Sequence, residues 1–419
     1  MSANIHPLLK LLRTPLPPFS VQSPDDDDDL LTVQAERKGT TSKWAQHNLG
    51  ETVLRKEVLL EEYIKPFEDE VNKHFPRSII VPVAPATHPC RYPRTEGDTV
   101  DIICTQIVNL IVQALSANKE IYLRWIPQTN HYPHLPITVL KFYGEVTGEA
   151  YVKRDQPNIP GVRVDKLFII SASRLENRTI TRQHQINLDQ LQIKGPERIR
   201  AVDIRSQNQY LGKDQLWVTA GLSNVDWKDQ RNKCKAMLPI EIKNIDSIHE
   251  KIFDWITKHV TIGGETSHSI AEQLVDHPLK GYENKSDRGK AAVMGTLSMI
   301  QQAVRYGVWY GVEAVILTDY KCGILIEIPE HLHGSHTPSE PEVSWAFIPN
   351  TDLRIVIAAV FWKSCRKLDD ALRQADLLAA AAEEKRKQEE AEAKAEAEAA
   401  AAEKVRQQKS NTKTRGGRK

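Results

Sequence analysis

The chain is poor in cysteine and aromatic residues, and it carries no surplus of charge of either sign. Five cysteines among 419 residues (Cys90, Cys104, Cys234, Cys322, Cys365) are odd in number, far apart and form no C-x-x-C pair. That spacing argues against a disulfide framework or a thiolate zinc site and fits a reducing compartment. Lys and Arg number 56 against 55 Asp and Glu, which excludes a uniformly basic nucleic-acid coat but not a local cationic groove. Long hydrophobic runs are also missing. The most apolar stretch, Val100 to Leu115, is interrupted by Asp101, Gln106, Asn109 and Gln113, and the N-terminal MSANIHPLLKLLRTPLPPF is broken by Lys10, Arg13 and prolines. Neither suits a signal peptide or a membrane span, so the expectation is a soluble intracellular protein without a membrane partner.

What is present divides the chain into three. Residues 1–45 combine Pro15, Pro17 and Pro18 with an aspartate run, Asp25–Asp29, and a Lys/Thr/Ser cluster; this composition predicts a disordered arm. Residues 46–365 are long enough to bury one sizeable core. Residues 366–419 are dominated by Ala, Glu, Lys, Arg and Gln. These are strong helix formers, and from about Asp369 to Gln408 they predict one long charged helix. After Leu377 and Leu378 no large apolar residue recurs until Val405. The helix therefore lacks a coiled-coil seam and reads as a solvated single helix or a weakly partner-binding one. The closing SNTKTRGGRK is a short basic tail, equally readable as a solubilising end or a nuclear-targeting patch.

Within the middle segment the apolar periodicity is mixed. Val53 to Phe75 and Val100 to Leu115 show helical spacing. Strand-like runs follow at Ile137–Tyr143, Ala150–Lys153, Val162–Ile170, Ile199–Ile204, Leu216–Thr219 and Met237–Lys243. Then come a helix over Ser247–His259, a Gly/Ser/Thr-rich loop and a longer helix over about Gly289–Gly311. Strands close the order at Ala314–Thr318, Gly323–Ile328, Ser344–Ile348 and Ile355–Phe361.

The strongest local signal is Met237-Leu-Pro-Ile-Glu-Ile-Lys-Asn244. In a strand, Ile240 and Ile242 face one way while Glu241 and Lys243 face the other. A carboxylate beside an ammonium on a short central strand suits metal-assisted phosphodiester hydrolysis. Glu241 and the Ile242 carbonyl would hold a divalent cation while Lys243 orients water. A second carboxylate is required. Asp165 and Asp203 are the two candidates, with Asp165 favoured because it opens the more apolar strand. E-x-K alone is a weak motif, and taken by itself a salt-bridged strand face explains it more readily. On the long helix, Ser298, Gln302, Tyr306 and Tyr310 recur every four residues and form one stripe beside Gly295, Met299, Ala303, Gly307 and Gly311. The small residues would let the helix lie close to a sheet.

The set Asp165, Glu241-x-Lys243 and Gln302-x-x-x-Tyr306, followed by Val315-Ile-Leu-Thr-Asp319, resembles the PD-(D/E)xK nuclease superfamily in its RecB-like branch. It is similar in particular to uncharacterised fungal nuclease-like proteins that often accompany a fungal-type kinase domain. The resemblance covers roughly residues 95–330. It implies a restriction-endonuclease-like αβββαβ core with a mixed sheet, dependence on Mg²⁺ or Mn²⁺, and cleavage of DNA. By the same resemblance Asp165, Glu241 and Ile242 are the metal ligands. Lys243, Gln302 and Tyr306 complete the site, Asp203 is the alternative first acid, and Glu96 matches an auxiliary acid. The usual proline before the first acid is replaced by Val164, or by Val202 if Asp203 is that acid.

Other constellations fail. His249-Glu250 begins like a zinc-protease helix, but Phe253 stands where the second histidine belongs. His331, His333 and His336 sit in a Pro/Gly/Ser-rich stretch typical of a surface loop. Phosphate-binding loops and protein-kinase motifs are missing. Lys285, Arg288 and Lys290 before the long helix suit phosphate contacts or are ordinary loop charges. The competing expectation is a catalytically inactive nuclease-like scaffold whose helical tail binds partners.

Overall fold

The computed structural model describes residues 5–17, 53–86, 96–135, 139–148, 164–173, 232–260, 267–280, 286–329 and 342–415. Among the described residues seven strands form one mixed sheet: β1 (Val53–Glu57), β2 (Val139–Gly148), β3 (Val164–Ser173), β4 (Asn232–Ile242), β5 (Ala314–Thr318), β6 (Cys322–Glu327) and β7 (Glu342–Pro349). Their spatial order is β1-β7-β6-β5-β4-β3-β2. β2, β3 and β4 make an antiparallel meander, and β4 and β5 run parallel. Parallel neighbours need a crossover. Here it contains three helices: α6 (Glu250–His259), α7 (Ser267–Asp276) and α8 (Ser286–Tyr310).

The sheet separates two apolar layers. On one face α6, α7 and α8 bury Ile252, Phe253, Ile256, Val293, Ile300 and Val304 against Val315, Leu317, Ile324 and Ile326. The other face carries α1 (Pro7–Leu12), α2 (Glu61–His74), α3 (Glu96–Ile103), α4 (Asn109–Ser116), α5 (Lys119–Trp125) and the start of α9 (Leu353–Arg415). All five residues of β5 are buried, as a strand covered on both faces requires. α3 and α4 are joined by a π-helical turn, Cys104–Val108. The stretch Gly97–Ser116 is long and apolar enough to cross a membrane, yet most of it is buried in this core.

Three expectations need correction. First, residues 5–17 are ordered although residues 1–45 were expected to form a disordered arm. Leu8, Leu9, Leu11, Leu12 and Leu16 are all buried, and Pro7 presets the first helical position. The rest of that arm lies outside the described residues. Averaging over 45 residues hid a leucine-rich pair of turns. Second, Val53–Glu57 is an edge strand pairing in parallel with β7 rather than the beginning of a helix; the helix starts at Glu61, with Glu61 and Glu62 at its positive end. Third, Ile355–Phe361 is helical. Seven consecutive residues there are at most 1% exposed, and a segment buried all round has no polar face to reveal its period. The expected strands at 150–153, 199–204 and 216–219 lie outside the described residues.

His6 anchors the N-terminal segment. Its Nδ1 accepts from the Leu8 amide at 3.2 Å while Nε2 lies 3.1 Å from the Pro76 carbonyl. One nitrogen must accept and the other donate, so only the neutral Nε2–H tautomer satisfies both. Burial is the largest cause holding its pKa below the usual histidine value of 6.5. The unfolded chain therefore binds the proton more readily, and the stability contributed by neutral His6 is lost as pH falls below that value. Amide exchange at Leu8–Leu12, corrected for intrinsic rates, should accelerate on going from neutral pH to about pH 5 in the native chain. In His6→Ala it should be fast at both. Equal protection across that range in the native chain would contradict this assignment.

Candidate functional site

Alternation along β4 divides its residues between the two layers. Ile240 and Ile242 enter the face covered by α9, and Glu241 and Lys243 face α8. The register Lys166↔Ile240 sets Asp165 opposite Glu241 by one step, on the same face of the sheet. Asp165, half-buried, accepts a hydrogen bond from the Ile242 amide through Oδ2 at 2.8 Å. The two acids thus flank a single peptide unit.

Lys243 donates from Nζ to Glu241 Oε1 at 2.6 Å and to Gln302 Oε1 at 3.1 Å. Gln302 in turn donates from Nε2 to Glu241 Oε1 at 2.9 Å and to the Tyr306 hydroxyl at 2.6 Å. Only this orientation of the amide works, because flipping it would set its NH₂ against the ammonium. Glu241 is 3% exposed, Lys243 6% and Tyr306 0%. The charges are therefore held in a protein environment where their attraction is only weakly screened. The spacing of four between Gln302 and Tyr306 stacks them on one face of α8.

The next strand edge contributes Asp319. Its Oδ1 accepts from the amides of Lys321 at 3.0 Å and Cys322 at 3.1 Å, and Oδ2 accepts from the Ile248 amide at 3.0 Å. Burial pushes its pKa up to about 6, against the opposing pull of those amides. Asp319 thus ties the β5–β6 turn to the segment leaving β4. In the parallel register Ile242 is paired with Thr318, and Lys243 donates its amide to the Thr318 carbonyl at 2.9 Å. The end of β4 is therefore pinned from both sides.

The sequence-expected residues are only partly brought together. Glu241, Lys243, Gln302 and Tyr306 form one hydrogen-bonded cluster, and Asp165 adjoins it through the Ile242 amide. Asp203 lies outside the described residues, and so does the side chain of Glu96, which opens α3. The side chains of Tyr310 and Arg288, and the whole of Lys285, His331, His333 and His336, also lie outside them. His249 is committed to the Asp246 carbonyl at 2.8 Å. Among the described residues no three His, Cys, Asp or Glu side chains converge as metal ligands. The donor set available is two carboxylates, Asp165 and Glu241, beside the backbone carbonyl of Ile242.

Arg354 escaped the sequence reading. It is 1% exposed and donates from Nε to the Gln106 carbonyl at 2.7 Å, from Nη1 to the Thr14 carbonyl at 2.6 Å, and from Nη2 to Gln106 Oε1 at 3.1 Å. It ties the π-helical turn and the N-terminal segment to α9. An arginine in an apolar run was the available signal, but its partners lie 248 and 340 positions away. No family model matches the chain, and no curated protein or solved structure matches it either.

Proposed function

We propose that the protein is a metal-dependent nuclease hydrolysing DNA phosphodiester bonds, built on an αβββαβ core in which α3–α4, β2, β3, β4, α8 and β5 supply the six elements. The observation that carries the reading is the placement of Asp165 and Glu241 on either side of one peptide of β4, with Lys243 and Gln302 closing on Glu241 and the Tyr306 hydroxyl backing Gln302. Mg²⁺ keeps several waters and needs only one or two protein carboxylates beside substrate oxygens. A set made of Asp165, Glu241 and the Ile242 carbonyl fits that demand, and Mn²⁺ accepts the same hard donors. When bound, such a cation polarises the phosphoryl oxygen and lowers the pKa of a coordinated water.

The chain's own residues supply the rest. Lys243 is fixed by two acceptors, Glu241 and Gln302, so its ammonium is positioned to orient a water or to balance charge developing on the phosphate. Gln302 holds Glu241 Oε1 in place from the helix side and is itself positioned by the Tyr306 hydroxyl, which accepts from its Nε2. Location is proposed as intracellular, with DNA as the macromolecular partner.

A second reading is favoured by a different observation. Glu241 and Lys243 are almost fully buried and pair with each other at 2.6 Å, which also suits a structural ion pair in an inactive scaffold. Cleavage of single- and double-stranded DNA with Mg²⁺ or Mn²⁺, against EDTA, separates the two. The native chain should cut only with metal. Asp165→Asn keeps an acceptor for the Ile242 amide but removes a charge, so it should fold and cut far more slowly. Undiminished cleavage by Asp165→Asn, or no cleavage by the native chain, would reject the nuclease.

A further inference from the structure

On the opposite face of the sheet a cleft of about 160 Å³ opens between α2, α5, the segment that follows α5, and α9. We propose that it binds a small oxyanion of the phosphate class, independently of the Asp165–Glu241 cluster. Three guanidinium groups line it, Arg124, Arg366 and Arg373, with His131 beside them. Two carboxylates, Asp369 and Glu70, also line it, so the walls carry one more fixed positive charge than negative.

Of the two carboxylates, Asp369 is already committed. Asp369 is buried, accepts from the Tyr132 hydroxyl, and takes Arg373 Nε at 3.1 Å with Arg366 Nη1 at 3.9 Å. Glu70 lies 3.9 Å from His74 on its own helix. Arg373 is held through Nε, which leaves the outer edge of its guanidinium available. There Nη2 reaches His131 Nδ1 only at 3.5 Å. Arg124 makes no ion pair among the described residues. Asp369 therefore acts as the support that orients two arginines, and the surplus donors converge on the cleft. Planar guanidinium forks match tetrahedral oxyanions in paired hydrogen bonds.

A second observation concerns Trp125, which also lines the cleft. Its ring is packed among Phe67, Phe75 and Phe361 at centroid distances of 5.3, 6.3 and 5.9 Å. Its buried Nε1–H has no hydrogen-bond partner among the described residues. That nitrogen is sealed from solvent, so Trp125 contributes a wall packed on the core rather than a donor, and the arginines supply the polar contacts. The size sets the class of ligand, since drug-sized molecules occupy pockets of roughly 300–1,000 Å³. A cleft of about 160 Å³ suits a free ion or the terminal group of a longer molecule.

The test uses the full chain. Thermal unfolding is followed in sodium phosphate and in sodium chloride of equal ionic strength near neutral pH. Phosphate should raise Tm by about 2–4 °C over chloride. Arg124→Ala and Arg366→Ala should abolish that rise while unfolding normally in chloride. Arg124→Ala is the cleaner variant because it leaves the Asp369 cluster untouched. An unchanged rise in both variants, or an equal effect of chloride, would overturn the site. Titration with a phosphoserine peptide then identifies the source. Binding about tenfold tighter than inorganic phosphate, with the same dependence on Arg124, assigns the group to a partner chain. Equal affinity assigns it to the free ion.

Discussion

Glu241→Ala is expected to abolish metal-dependent cleavage, by about 10³-fold or more, and to destabilise the fold by about 3–5 kcal/mol. The two losses have separate causes. On the proposed reading, activity falls because a carboxylate assigned to the metal is gone. Stability falls because Lys243, 6% exposed, keeps its charge in the interior without the acceptor at 2.6 Å, and removing one partner of a buried pair costs more than the pair itself contributes. Lys243→Ala should destabilise comparably for the mirror-image reason. Glu241→Leu/Lys243→Met removes both charges and should recover most of the stability while remaining inactive. Urea unfolding of the two single variants and the double variant, alongside the cleavage assay, checks each arm. If the double variant is no more stable than the singles, the pair is not the source of the loss. The stability arm holds even for an inactive scaffold, so it does not depend on detecting cleavage.

Gly307→Val should be nearly as damaging through sterics alone. A Cβ at Gly307 would lie 2.2 Å from Ile328 Cγ1 and 3.2 Å from Ile328 Cβ. The second atom sits against the backbone, so a rotamer change of Ile328 does not clear the space. Overpacking of this kind costs about 1–3 kcal/mol, and valine adds no helix propensity to offset it beyond a few tenths of a kcal/mol. The strain also reaches the site. Gly307 is adjacent to Tyr306 and little more than one turn from Gln302, so displacing α8 from the sheet withdraws Gln302, with the Tyr306 hydroxyl behind it, from Glu241. Cleavage should fall together with stability. Adding Ile328→Ala opens the space, and the double variant should be more stable than the sum of the single effects predicts, by at least about 1 kcal/mol. Additive losses would mean that α8 does not depend on this close approach.

Legibility in the sequence followed the range of the interactions involved. β4 and the polar stripe of α8 could be read because their information is local: alternation places Glu241 and Lys243 on one face, and a spacing of four aligns Gln302 with Tyr306. The small residue at Gly307 likewise announced a close helix–sheet approach. Local pattern failed where burial was complete. Ile355-Val-Ile-Ala-Ala-Val-Phe361 is rich in β-branched residues, and those positions face neighbours on every side, so neither period appears. It failed again at Val53–Glu57, whose strand identity depends on the edge of β7 that it covers. α7, Ser267–Asp276, was passed over because it follows a loop rich in glycine, serine and threonine. Arg354 and the arginines of the cleft were out of reach for another reason. Arg354 depends on partners in distant parts of the chain, and the cleft brings Arg124 to the local Arg366–Asp369–Arg373 group, so no window of sequence contains both halves.

The length of α9 has a mechanical consequence. Its buried portion ends near Asp376, after which Leu377 and Leu378 are 70% and 67% exposed. The helix nevertheless continues to Arg415, supported in part by the pairs Lys385–Glu389, Arg386–Glu390 and Lys387–Glu383. Contact with the body continues to Glu383, 3.8 Å from His134, and at 1.5 Å per residue the part projecting beyond it is about 48 Å long. A stiff rod of that length acts as a spacer, holding its far end several nanometres from the sheet. It also acts as a lever, because the same helix enters the core as Leu353–Phe361. A load applied at the far end would be delivered directly to Arg354 and, through it, to the N-terminal segment and the π-helical turn.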